Sequence, residues 1–344
     1  MRRARLDTPD AHHDTPCRTW PPRRGPPLRH LRGRRGQKRR PVSTVSVAID
    51  TPARLGECPV WSELDQALYW TDIEACVVHR FDPASGLDDT RGLPGRVGTI
   101  ALTDRPGVLV FAIENALYEV DWADVGNRRP LHRLEPDGTG NRSNDGRVDP
   151  AGRFVLGTMY EDADAGRTTG ALYRVDEQVT ALRTGIGIPN GLAFDAQRGL
   201  VYWADTFTAR IIVADYDVTN GTWRNERTFF DYADAPGRPD GACLDTEGGY
   251  WSASVTGWCI TRIDPNGTVT DRIDVPLEKP SMPAFGGEDR RTLFVTTIGD
   301  EHGRPATPGR DGVRPGSLLA IEGTGATGIA EIPFSFSKWA TSSA

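Results

Sequence analysis

Cysteine is sparse and scattered: Cys17, Cys58, Cys76, Cys243 and Cys259 form no Cys-x-x-Cys pair, and the odd count suits neither a disulfide framework nor a structural zinc site. Reduced, mostly buried thiols are the expectation. No run of about 18 apolar residues occurs, so no transmembrane helix is predicted. The N-terminal residues also lack the apolar segment of a secretory signal, because Arg and Pro interrupt them throughout, and the expected location is the cytoplasm. There is no Gly-x-Ser-x-Gly nucleophile elbow, and the 6 histidines divide between His12, His13 and His30 near the start and the dispersed His79, His132 and His302. These absences argue against a Ser-His-Asp hydrolase and a multi-histidine zinc site. Gly323-Thr324-Gly325-Ala326-Thr327-Gly328 has the spacing of a dinucleotide fingerprint, but no helical pattern and no acidic partner follow it, so it reads as a connecting loop.

Charge is unevenly distributed. Residues 1 to 40 hold 13 Lys and Arg against 3 Asp, which leaves 28 basic against 44 acidic residues in the rest. An acidic body repels phosphate backbones and suits metal or neutral-sugar chemistry better than nucleic acid. Residues 1–42, rich in Arg and Pro with little apolar content, are expected to be a disordered tail. That tail reads either as a basic arm for nucleic acid or membrane, or as upstream sequence from a misassigned start, with Val42, Val45 and Val47 as alternative starts.

From Ser43 onward, short runs rich in Val, Ile, Tyr, Trp and Phe alternate with Gly, Pro, Asp and Asn turns, and no long segment has helical period. Taking one aromatic per run, Trp70, Phe111, Phe154, Trp203, Trp251 and Phe294 are separated by 41, 43, 49, 48 and 43 residues. A four-stranded blade needs a repeat of that size, so residues 43–340 are predicted to form an all-β, six-bladed β-propeller; a β-sandwich is the alternative for the same short strands. Asp149-Pro150-Ala151-Gly152, Asp245-Thr246-Glu247-Gly248 and Asp264-Pro265-Asn266-Gly267 are expected hairpin turns.

Polar residues recur at one phase of this repeat. Glu57, Asn144, Asn190 and Asp240 precede their anchors by 13, 10, 13 and 11 positions, which predicts convergence at one end of the central channel, from loops entering the innermost strands. Two carboxylates with two amide carbonyls make an all-oxygen set suited to Ca²⁺, Mg²⁺ or Mn²⁺, with zinc also admissible. Taken singly, Asn144-Asp145-Gly146, Pro189-Asn190-Gly191 and Pro239-Asp240-Gly241 are equally ordinary turns. The last two lie 50 residues apart, one blade period, and Glu57 has no turn role among its apolar neighbours.

The chain resembles the senescence marker protein-30, regucalcin and gluconolactonase family of six-bladed propellers over about residues 46 to 335. The resemblance rests on Leu55-Gly56-Glu57-Cys58-Pro59-Val60-Trp61, Leu68-Tyr69-Trp70-Thr71-Asp72-Ile73, the stretch from Arg142 to Arg153, Gly157-Thr158-Met159, Pro189-Asn190-Gly191-Leu192 and Pro239-Asp240-Gly241. It implies that Glu57, Asn190 and Asp240 hold one divalent cation and that Arg142 and Asn144 hold substrate oxygens, with Glu161 or Asp162 on the following loop. Two departures stand out. Cys58 replaces a usual Gly, which is expected to narrow the channel mouth, and Pro280 to Gly287 differs in its middle, at Met282 and Pro283, which is expected to reshape the substrate wall.

The implied activity is opening of a small-molecule sugar lactone, with Asp240 also acting as general base, in a monomer or small homo-oligomer without nucleic-acid or membrane partners. A regucalcin-like calcium-binding regulator without turnover is the rival; it has no need of the sugar-binding Arg142 and Asn144. A scaffold propeller that binds proteins leaves Glu57 and Asp240 as facing like charges without purpose.

Overall fold

The computed structural model describes residues 43–300 and 304–336, among which strands dominate and no α-helix forms. The expected tail over residues 1–42 lies outside the described residues. The strands assemble into six four-stranded antiparallel sheets. Five use consecutive strands: blade 1 from Gly56–Ser62 to Leu87–Gly92, blade 2 from Val97–Leu102 to Asp124–Arg133, blade 3 from Asn141–Val148 to Val179–Ile186, blade 4 from Pro189–Asp195 to Thr222–Asp231, and blade 5 from Arg238–Leu244 to Val269–Asp274. Blade 6 takes Pro280–Gly286, Thr292–Thr297 and Leu318–Glu322 from late in the chain and its outermost strand, Thr44–Ile49, from the beginning. The first strand of each blade touches the first strands of both neighbours, so six inner strands close into a ring. This is a six-bladed β-propeller.

The three expected turns form as the sequence requires. Asp149, Asp245 and Asp264 accept from the backbone N–H two residues on at 2.8, 2.9 and 2.9 Å, and Gly152, Gly248 and Gly267 take φ of 81°, 84° and 82°. All six aromatic anchors lie on second strands and are buried. They build a core divided into wedges between adjacent blades: Trp61, Trp70 and Phe294 between blades 6 and 1, Phe111 between 1 and 2, Phe154 between 2 and 3, Trp203 between 3 and 4, and Trp251, edge-on to Phe285, between 5 and 6. Tyr202 and Tyr250 fill the remaining wedge, between 4 and 5. Burial of large apolar side chains of this kind contributes about 1.5–3 kcal/mol each.

After blade 6 the chain crosses the face where these hairpin turns lie. Ile329 donates its N–H to Leu244 O, Phe334 to Leu102 O and Ser335 to Gly152 O, and the Phe334 ring is buried between blades 2 and 3. Residues 323–328, with the Gly-x-Gly-x-x-Gly spacing, belong to this crossing, and no α-helix follows them among the described residues.

Closure depends on Thr44–Ile49, whose Val45 packs in the wedge between blades 5 and 6 and whose Ala48 and Ile49 pack in the wedge between 6 and 1. A chain begun at residue 43 is expected to melt within about 2 °C of the full-length chain, whereas one begun at residue 50 loses the closing strand and melts at least about 5 °C lower by scanning calorimetry. Equal melting temperatures for the two would show that closure contributes little.

Candidate functional site

Each inner strand carries one residue more than its partner can pair, and the slip falls near its entry: between Glu57 and Val60, Val97 and Thr99, Ser143 and Gly146, Asn190 and Ala193, Pro239 and Ala242, and Pro280 and Met282. A β-bulge bends its strand and re-aims the local side chains. Glu57, Asn144, Asn190 and Asp240 all sit at or within these bulges. They therefore lie inside the inner strands, not in the loops before them, and the Asn-Gly and Asp-Gly steps are bulges instead of reversing turns. Blades 2 and 6 add no such group. A Cβ at Gly98 would overlap the Ser143 carbonyl, and Ser281 is engaged by the Gly56 carbonyl at 2.5 Å. The polar groups thus come from blades 1, 3, 4 and 5.

The cluster is buried and short of positive charge. Glu57, Asp240, Asp145, Asn144, Asn190 and Arg142 are all less than a tenth exposed. Burial first, then the negative charges of Asp240 and Asp145, push the Glu57 carboxyl well above its usual range; the Cys58 N–H, at 3.1 Å, and Arg142 act the other way without overcoming them. Asp145 is itself raised by burial, although the Arg147 guanidinium, and then the N–H groups of Leu192 at 2.9 Å and Gly146 at 2.7 Å, act the other way. Glu57, crowded by Asp240 and Asp145, has only the Arg142 guanidinium opposing it, whereas Asp145 is balanced chiefly by the buried Arg147; the crowding at Glu57 favours a cation there. Oxygen donors from Glu57, Asp240 and Asn190 suit a hard divalent ion. Among the described residues no group of three His, Cys, Asp or Glu side chains has metal-holding geometry, so a cation here needs the amide oxygen.

The amides are held by a series of hydrogen bonds. Arg142 donates to Asn144 Oδ1 at 3.0 Å; Asn144 Nδ2 donates to Asn190 Oδ1 and to Pro189 O, both at 2.9 Å; Asn190 Nδ2 donates to Thr206 Oγ1 at 2.8 Å. Asn144 thus turns its nitrogen, not its oxygen, toward Asn190, which takes it out of the all-oxygen set expected from phase alone.

Glu161 stands apart, half-exposed on the loop after blade 3's second strand. It pairs with Arg96 at 3.2 Å, and Arg96 is itself gripped by Glu114 at 2.8 Å. Asp162 caps the short 3-10 turn Ala163–Ala165 by accepting from Asp164 N. Cys58 adopts φ 48°, which accounts for a preference for Gly at this position, and its buried thiol accepts from Ile100 N at 3.1 Å, so it ties blade 1 to blade 2 instead of narrowing the mouth. Burial pushes that thiol up to about 12, and it stays protonated at neutral pH. Met282 is fully buried against Gly241, in the packing between blades 5 and 6 and not on a substrate wall. Sequence reasoning missed Asp145, Thr206, Arg96 and Glu114. Asp145 carried a signal, being adjacent to a phased residue, whereas Thr206 lies outside the repeat phase.

Over residues 55–299 the sequence matches the family of SMP-30/gluconolactonase/LRE-like regions. It is 40% identical over 261 residues to 6-deoxy-6-sulfogluconolactonase of Pseudomonas putida, covering 74% of this chain and 87% of the relative. It is 37% identical over 294 residues to pentonolactonase XacC of Haloferax volcanii, covering 84% and 97%. Among solved structures it is similar to a calcium-binding protein, regucalcin, from Agrobacterium tumefaciens, with a TM-score of 0.76 and 29% identity over 84% of this chain and 96% of that one.

Glu57→Gln keeps an acceptor for the Cys58 N–H while removing one of the crowded charges. In chelator at neutral pH it is expected to raise the melting temperature by about 2–4 °C per kcal/mol of repulsion relieved. A lower melting temperature would mean that the negative charge of Glu57 stabilises the cation-free fold.

Proposed function

The chain belongs to the SMP-30/gluconolactonase/LRE-like family, and from that premise we propose that it is a lactonase that opens sugar lactones to hydroxy acids with one divalent cation held by Glu57, Asn190 and Asp240. The observation that carries this reading is the crowding of negative charge on the buried Glu57, from Asp240 and Asp145 with only Arg142 opposing, together with an Asn190 amide oxygen held by a hydrogen bond. The lactonase names of the two relatives support the substrate class, and the donor set suits Ca²⁺, Mn²⁺ or Mg²⁺, with Zn²⁺ also accepted.

Polarisation of the lactone carbonyl is the chemistry that a bound divalent cation supplies here. Asp240 takes a proton from the attacking water as its oxygen bonds to the carbonyl carbon. The ring C–O bond then breaks, and Asp240 returns the proton to the leaving ring oxygen, so that water and lactone give the hydroxy acid. Arg142 and Asn144 orient the sugar hydroxyls by directional hydrogen bonds. Glu161, on the rim with Arg96, contacts the more exposed end of the sugar. Burial of the cluster keeps bulk water from competing at Asp240.

Chelator-stripped protein is expected to lose turnover of aldonolactones and to regain it on addition of a divalent cation. Undiminished turnover in excess chelator, with no metal bound, overturns the reading. Asp240→Asn is expected to weaken cation binding and, at saturating cation, to remain about 10²- to 10⁴-fold slower than wild type, the usual worth of a general base. A wild-type rate at saturation would make Asp240 a ligand only. The solved relative's calcium binding favours one rival, a regucalcin-like regulator, and cation binding by calorimetry without turnover of any aldonolactone would select it.

A further inference from the structure

The hydrogen bonds that cross blades 3, 4 and 5 run in one direction: Arg142 to Asn144, Asn144 to Asn190, Asn190 to Thr206, and Thr206 Oγ1 to the Pro239 carbonyl at 2.7 Å. A guanidinium has donors only, and a carbonyl oxygen has lone pairs only. With those two ends fixed, every group between them has one allowed orientation. Asn144 must offer its oxygen to Arg142 and its nitrogen to Asn190. Because the single proton of Thr206 is committed to Pro239, Thr206 can only accept from Asn190, which must therefore turn its nitrogen to Thr206 and its oxygen the other way.

We propose that Thr206 is the positioning residue for Asn190 and through it sets the affinity of the site for a divalent cation, an inference that rests on the cation site proposed above. Thr206 follows the second strand of blade 4 and is buried. Its hydroxyl holds the Asn190 amide nitrogen, so the amide oxygen points the other way, where one lone pair accepts from Asn144 and the other remains for the ion. The same hydroxyl grips the carbonyl immediately before Asp240. One side chain thus fixes a side-chain donor of blade 4 and the backbone leading into a donor of blade 5.

The test is calorimetric titration of calcium or manganese chloride into chelator-stripped full-length protein. Thr206→Val keeps the shape and removes the acceptor and the donor together. It is expected to bind about tenfold more weakly, the low end of the 10- to 100-fold loss usual for groups behind a ligand, because Asn144 still grips the Asn190 oxygen. Thr206→Ser keeps the hydroxyl and is expected to restore affinity to within about twofold. Should the Val variant fail to melt cooperatively, Thr206→Ala is expected to show the same loss. Val or Ala binding as tightly as wild type, or Ser binding as weakly as Val, overturns the role of Thr206 and leaves the cation site standing. No cation binding by the wild type overturns the site reading and this inference with it.

Discussion

An inner strand of a propeller blade is hydrogen-bonded along one edge only, to the second strand of its own blade, so an extra residue at its entry can bulge without breaking a ladder on the other side. All six inner strands use that freedom at the same step. Because the six strands form a ring, six equivalent distortions face a common axis, and whatever residue occupies the bulge is presented there. Gly98 and Ser281 show that the geometry is independent of function: blades 2 and 6 bulge as the others do and add no charge. The fold thus supplies six addresses, and the chemistry is decided by which four carry polar side chains long enough to meet.

Charge along the axis alternates in a way that ties the site to the opposite face. Arg142 lies with Glu57 and Asp240; Asp145 comes next, then Arg147, and finally Glu331 from the chain crossing the far face. Arg147 donates to the Ala242 carbonyl at 3.0 Å and pairs with Glu331 at 2.6 Å. Glu331 and Asp145 together keep its guanidinium charged despite its burial. A buried pair of this kind adds little net stability over an apolar filling, but breaking it by removing one partner is costly. Glu331 is therefore better understood as the counter-charge that lets Arg147 occupy the axis than as a surface ion pair.

The sequence carried the propeller in its aromatics: Trp70, Phe111, Phe154, Trp203, Trp251 and Phe294 recur because each must fill a wedge of similar size. The phase of Glu57, Asn144, Asn190 and Asp240 carried their convergence for the same reason. What it could not carry was the local geometry, since Pro-Asn-Gly and Pro-Asp-Gly suit a bulge as well as a turn. Gly191, at φ 61°, meets the same backbone demand in either setting, and only the Tyr250 hydroxyl bonded to its carbonyl marks it as interior. Nor was amide polarity legible, because it is decided by the donors and acceptors at the two ends of the hydrogen-bonded series, and one of them, Thr206, lies 16 residues from Asn190, a distance unrelated to the repeat. The exposed Glu161 was drawn in by resemblance, and its partner Arg96 lies on another blade, 65 positions earlier.

The closing strand has a consequence in time. Ser46 meets Ala320 across 274 residues of chain, so at a synthesis rate of about 5–20 residues per second the first strand waits roughly 14–55 s for its partner to be made. During that interval it is a short β-prone segment, Thr44-Val45-Ser46-Val47-Ala48-Ile49, with no native edge to join. Five blades can pack on the ribosome before the sixth exists. The nascent chain therefore passes through a nearly complete ring with one open seam, the stage at which a holdase that shelters a single strand would do most to keep two unfinished chains from completing each other.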